Sequence, residues 1–110
     1  MVSPIEEASL KLIRELLDET TDDVMKVFEF GATKHPPNGV KPNFLEFNGN
    51  KCSRRVRGSS CLRHAAELFS GVKEDHESGL HPALHLMASA FILYIRDKNG
   101  IIHPDDRGNQ

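Results

Sequence analysis

Apolar residues recur at helical spacing along most of the chain. Ile5, Ala8, Leu12, Ile13, Leu16 and Leu17 follow one another at intervals that place them in a single stripe on a helix. Ser3, Pro4 and Glu6 supply the N-cap, the first-turn proline and the glutamate of a capping box, so a helix is predicted from about Pro4 to Asp18. Thr20 to Asp23 read as the start of a second, short helix that carries Val24, Val27 and Phe28 and stops at Gly31. From Gly31 to Gly58 the period is lost. Pro36, Pro37, Asn38, Gly39, Pro42 and Gly49 predict a long loop there, pinned to the core by Phe44, Leu45 and Phe47. Ser59 or Ser60 is the expected cap of a third helix, with Leu62, Ala65, Ala66 and Phe69 on its apolar face and Gly71 as its stop. A polar connection, Val72 to Gly79, leads to a fourth helix with Pro82 in its first turn. Ala83, Leu84, Leu86, Met87, Ala90, Phe91, Tyr94 and Ile95 cover nearly its whole circumference, as in a central or interface helix. Asn99 and Gly100 end it, Ile101 and Ile102 dock behind it, and His103 to Gln110 form a polar tail expected to be flexible.

These elements add up to an all-α fold, a compact bundle of about four helices with one long central loop over residues 31–58, in a single domain spanning residues 1–110. A chain of 110 residues, 38% of them apolar, has a thin core, and self-association to a dimer or tetramer is expected to bury more surface. Fourteen basic and sixteen acidic residues leave a net charge of −2, which removes any bulk attraction for duplex nucleic acid or an anionic membrane. Affinity for phosphate must therefore be local. No run of about 18 apolar residues is present to cross a bilayer, and the opening MVSPIEEASL lacks the basic and apolar regions of a signal peptide. A cytoplasmic location follows as the expectation, with Cys52 and Cys61 as reduced thiols.

Polar chemistry concentrates between Arg63 and His85. His64 and Glu67 are three residues apart, His81 and His85 four apart, and Asp75 and Glu77 sit just ahead of the fourth helix. If the third and fourth helices pair antiparallel, the acids gather near their connection, where they would hold a hard cation such as Mg²⁺ and with it a phosphate substrate. The same acids, with Ser78, also fit a solvated loop with an N-cap and favourable helix-dipole charges. The histidine pair admits a transition metal, yet no His-Glu-x-x-His arrangement supplies a general base. A second constellation is basic: Lys51, Arg54, Arg55, Arg57 and Arg63 flank a predicted helix start, where guanidinium groups and helix amides bind phosphate oxygens. A solvated charge run in a mobile loop is the other reading of those arginines. Lys34 and His35 form a third, weaker feature.

The stretch F-G-A-T-K-H from Phe30 to His35, the Arg63-His64 pair, and D-H-E-S-G-L-H-P-A-L-H from Asp75 to His85 occur in the order typical of one family. The chain resembles the small phage and prophage domain known as the N-terminal region of dATP/dGTP diphosphohydrolase, from about Phe28 to Ile95. His35 stands where that family usually has tyrosine, and the loop after it lacks the customary tryptophan. The resemblance implies an all-α fold related to MazG-like nucleotide pyrophosphohydrolases, which use Mg²⁺ to cleave nucleoside triphosphates to monophosphate and pyrophosphate. It carries the motif onto Lys34, Arg63, His64, Asp75, Glu77, His81 and His85. It also implies a dimer or tetramer, in the host cytoplasm if the chain is phage-encoded.

Two functions from different classes follow. In the first, a Mg²⁺-dependent pyrophosphohydrolase of purine nucleotides, Glu67, Asp75 and Glu77 hold the metal and His64 positions or activates water. Lys34, Arg55, Arg57, Arg63, His81 and His85 then bind the substrate. A MazG-type site uses Glu-x-x-Glu and Glu-x-x-Asp pairs, whereas here Glu67 has no second acid three residues away. That shortage favours the alternative, a non-catalytic sponge that sequesters a host-defence signalling nucleotide. A helical protein-interaction module, suggested by the apolar fourth helix alone, is the remaining reading.

Overall fold

The computed structural model describes residues 2–37, 39–49 and 51–109. Asn38 and Asn50 of the expected loop and Gln110 of the expected tail lie outside the described residues. Every regular element is helical: α1 spans Pro4–Lys34, α2 Arg54–Phe69 and α3 Pro82–Lys98, with 3₁₀ turns at Asn43–Leu45 and Pro104–Asn109. Among the described residues there is no strand, so the all-α expectation holds with three α-helices rather than four.

The two helices expected before residue 31 are one. Ser3 caps α1 through its Oγ, which accepts the Glu6 amide at 3.2 Å. Thr20 and Thr21 do not start a new helix, because their hydroxyls donate back to the Leu16 and Leu17 carbonyls at 2.8 and 3.0 Å. Gly31 stays helical, and the helix runs to Lys34, where His35 precedes Pro36 and is forced out of the helical region. At 1.5 Å per residue α1 is about 46 Å long, and it sets the 47 Å longest dimension of the molecule.

The start of α2 also differs from expectation. Ser53 is the cap, its Oγ accepting the Val56 amide, and the Asp106 carboxylate accepts the Arg54 amide at 2.9 Å. Ser59 instead donates to the Arg55 carbonyl from inside the helix. Gly58 costs a helix about 1 kcal/mol relative to alanine, which two caps offset. The loop is therefore 35–53 rather than 31–58. The same contact seats the tail expected to be flexible, since Asp106 is buried. Gly71 and Gly100, at φ 81° and 66°, end α2 and α3 as expected. Val72 and Ile101 amides reach back to the Glu67 and Arg96 carbonyls to close those ends.

α3 is the central element, packed on α2 along one side and on the C-terminal part of α1 along another. Pro82, Ala88, Ser89, Ile92 and Arg96 of α3 are buried. Phe28 of α1, Phe44 of the loop and Phe91 of α3 form a three-ring cluster with centroids 5.7 to 6.1 Å apart. The loop is held further by Arg96, whose guanidinium donates to the carbonyls of Phe44, Glu46 and Phe47. Phe44 is thus an anchor as expected, whereas Phe47 is exposed and lies under the Arg107 guanidinium at 4.7 Å.

Candidate functional site

α2 and α3 run antiparallel, as three contacts in falling register show. His64 stacks on His85, Arg57 Nη1 donates to Ser89 Oγ, and Arg54 pairs with Asp97. This pairing brings the end of α2, the connection after it and the first turn of α3 to one place. One ligand atom from each of His64, Glu67 and Asp75 lies within 4.8 Å of the other two. His64 and Asp75 are buried, at 4% and 8% exposure, and Glu67 is half-buried.

The i, i+3 spacing on α2 places His64 Nδ1 2.9 Å from Glu67 Oε1. An Nδ1–H donated to that carboxylate leaves a lone pair on Nε2, which lies 3.4 Å from Arg63 Nη2. Asp75 is fixed by its own turn. Its Oδ2 accepts the Glu77 and Ser78 amides at 3.0 Å each, and Ser78 Oγ lies 3.3 Å away. Burial pushes the Asp75 carboxyl up, but the Ser78 and Glu77 amides outweigh it, and the group titrates below its ordinary value. Oδ1 is left as its second oxygen.

His85 lies 3.9 Å from Asp75 through Nε2 and 2.7 Å from Ser78 Oγ. Burial lowers its pKa below the ordinary 6.5, with the neighbouring Asp75 opposing and the charge of His64 assisting. At neutral pH it is an uncharged imidazole that accepts the Ser78 hydroxyl proton. The edge of the Phe30 ring closes the other side of His85, with centroids 6.4 Å apart.

Glu77, expected as a metal ligand, points elsewhere. It accepts from Lys34 Nζ at 2.7 Å on the exposed rim, and that hydrogen bond holds its carboxyl below the ordinary value. Lys34 in turn sits 5.5 Å from the Phe30 ring centroid. His81 does not share a face with His85 despite the four-residue spacing. It is the N-cap of α3 in an extended conformation, and its Nδ1 accepts the Ala83 amide. Arg57, seven residues before His64 on the same face of α2, is turned to Ser89. Arg55 precedes His64 by nine residues, about two and a half turns, which puts it on the opposite face. Ser78 and Phe30 are the site residues that motif reasoning passed over. The Asp75-x-x-Ser78 spacing of a side-chain-capped turn was the available signal for the first, and the shared face of Phe30 and Lys34 for the second.

His64, Glu67 and Asp75 therefore form a cluster of two carboxylates and one imidazole, with Arg63 beside His64 and Lys34 held at the rim by Glu77. A set of only two carboxylates suits Mg²⁺, which dehydrates reluctantly, keeps several waters and seldom takes an all-protein cage. No curated protein and no solved structure matches the chain. The family model described as dATP/dGTP diphosphohydrolase, N-terminal, matches residues 6–104, a span that holds all three of α1, α2 and α3 but for the first two residues of α1. The resemblance seen first in three short motifs thus extends over almost the whole chain, which belongs to the dATP/dGTP diphosphohydrolase N-terminal family.

Proposed function

We propose that the protein is a Mg²⁺-dependent pyrophosphohydrolase of purine (deoxy)nucleoside triphosphates. The observation that carries this reading is the gathering of His64, Glu67 and Asp75 within 4.8 Å, with Arg63 next to His64. Glu67 and Asp75 would hold the ion, while His64 orients Glu67 through its Nδ1–H. When bound, the ion supplies charge neutralisation for the phosphates and acidifies a water. Arg63 and Lys34 bind phosphate oxygens. Neutral His85 takes the proton of a water that attacks the α-phosphorus. The bond from that phosphorus to the bridging oxygen breaks, and nucleoside monophosphate and pyrophosphate leave. Ser78 Oγ, between His85 and Asp75, meets the resulting imidazolium by turning its hydroxyl donor to Asp75 Oδ2 and presenting an oxygen lone pair to the His85 N–H.

The test is a panel of deoxynucleoside triphosphates and cyclic dinucleotides incubated with the protein, with and without Mg²⁺, and analysed by chromatography before and after denaturation. Mg²⁺-dependent release of monophosphate and pyrophosphate is expected. A second reading is favoured by one observation, the engagement of Glu77 with Lys34, which leaves two carboxylates at the cluster. In that reading the protein sequesters a nucleotide without turnover. Full recovery of an intact nucleotide on denaturation, insensitive to chelator, would establish it over the first.

A further inference from the structure

One charge in the seam between α2 and α3 has no counter-charge. The Arg57 side chain is half-buried, and its one hydrogen bond among the described residues runs from Nη1 to Ser89 Oγ at 3.3 Å. Nε is buried and, among the described residues, meets no acceptor. The Nε–H and an Nη2–H lie along one edge of a guanidinium, the fork that grips two oxygens of a single anion. In Arg57 that edge is the one left unused. A buried donor in this state costs more than an ordinary hydrogen bond contributes, and the half-buried charge adds to the cost. In native structures such a group marks a bound water or ion.

The surrounding charge decides for an anion. Residues 54–66 of α2 carry four arginines and no acid, and residues 82–96 of α3 carry no acid either. Arg54 reaches Asp97, and Arg96 reaches three loop carbonyls. Arg57 is left with a serine. A water would satisfy Nε but not the charge.

Ser89 supplies a third donor. It is 4% exposed, its Oγ accepts from Arg57 Nη1, and among the described residues its own hydroxyl proton has no acceptor. A third donor beside the fork suits a tetrahedral oxyanion, which has a third oxygen to offer, over a planar carboxylate, which has two. Ser89 follows His85 by four residues, one turn of α3 or about 6 Å along the seam. The fork therefore lies beyond the His64–Glu67–Asp75 cluster, yet within reach of the far end of a triphosphate held there.

We propose that the Arg57 fork and the Ser89 hydroxyl form an oxyanion site that binds a phosphate group, separate from the metal cluster. Two sources carry that chemistry: inorganic phosphate from solution, and the terminal phosphate of a nucleoside triphosphate whose α-phosphorus lies at the cluster. The second source alone rests on the reaction proposed above. The site itself needs no metal and no turnover.

The first arm of the test melts the full-length protein in chelated buffer against inorganic phosphate, with ionic strength held constant by sodium chloride. Phosphate is expected to raise the melting temperature. Arg57→Lys, which keeps the charge and loses the fork, is expected to need about tenfold more phosphate for the same rise, and Arg57→Met to lose the effect. In phosphate-free buffer Arg57→Met is expected to melt no lower than the unaltered protein, because an unpaired charge has been exchanged for an apolar chain. An arginine with a purely structural role would show a loss there. The second arm titrates α,β-methylene dATP and dAMP in Mg²⁺ by calorimetry. If the terminal phosphate is the occupant, Arg57→Lys weakens the triphosphate analogue about tenfold, leaves the monophosphate unchanged, and inorganic phosphate competes with the analogue. If free phosphate is the occupant, the two bind together. A phosphate effect without any binding of the analogue keeps the site and counts against the reaction. Stabilisation by phosphate that persists in Arg57→Met would overturn the proposal, since the anion then binds elsewhere. Phosphate-independent melting, combined with an analogue affinity that Arg57→Lys leaves unaltered, would overturn it as well.

Discussion

His64 and His85 stack face to face, with centroids 4.9 Å apart and planes 15° from parallel, although they belong to different helices. Two imidazolium ions cannot sit comfortably at that distance, and Asp75 and Glu67 supply the only carboxylates hydrogen-bonded or ion-paired to the pair among the described residues. The stack therefore lies where two titratable rings, two carboxylates and the packing of α2 on α3 meet.

Acid should weaken the fold in two stages. His85 has a folded pKa below 6.5, so the unfolded chain binds its proton first, and stability falls as pH drops through 6.5 toward the folded value. Asp75 has a folded pKa below 3.8, so its contribution is present above 3.8 and is lost as pH falls through the folded value. Thermal melts in chelated buffers across pH 4 to 8 are expected to show the first stage vanish in His85→Phe. Phenylalanine keeps the ring stack, and the Ser78 hydroxyl has Asp75 as an alternative acceptor. An unchanged melting profile in that variant would remove His85 as the cause.

Glu67 and Glu77 should behave differently toward metal. Glu67→Gln is expected to weaken Mg²⁺ or Mn²⁺ binding by more than about 100-fold, since even partners one step removed from a metal are worth 10- to 100-fold. Glu77→Gln, which breaks only the contact to Lys34, is expected to change metal affinity by less than threefold, about 0.6 kcal/mol. Isothermal titration with the two ions separates the cases, and equal losses would put Glu77 back among the ligands.

Asp75→Asn and Asp75→Ala divide the roles of that residue. Alanine removes the charged acceptor of the Glu77 and Ser78 amides and is expected to cost about 2 kcal/mol of stability. Asparagine retains a carbonyl oxygen for those amides, so it should keep most of the stability while losing metal affinity and turnover. Denaturant melts read the first effect and metal titration the second.

Arg96→Ala should be the most damaging single change outside the site. The buried guanidinium satisfies three carbonyls of residues 44–47, and leaving them without donors is expected to cost about 3 kcal/mol or more. Urea denaturation would show it as a lower midpoint, with proteolysis of the 35–53 loop increased. Arg55→Ala, on the outer face of α2, should leave both stability and nucleotide affinity nearly unchanged.

The chain's own periodicities were enough for the helical class, the capped start of α1, the glycine stops after α2 and α3, and the central place of α3. These are local matters, decided by apolar spacing, side-chain caps and the positive φ that glycine tolerates at Gly71 and Gly100. The short motifs around Lys34, Arg63-His64 and Asp75–His85 were likewise enough to name the family. What lay beyond the sequence was every choice between two local solutions of similar energy. Thr20 and Thr21 can cap a helix or bond back within one, and the packing of Phe28 on Phe91 of α3 favours a continuous α1. Ser53 and Ser59 are both competent caps, and the carboxylate of Asp106, 52 residues away from Arg54, decides for Ser53. In the site, Glu77 and Glu67 are equal as letters. The antiparallel pairing of α2 with α3 brings Glu67 to Asp75, while the end of α1 brings Lys34 to Glu77. Long-range contacts of this kind select among local options because each is worth about as much as the difference between them.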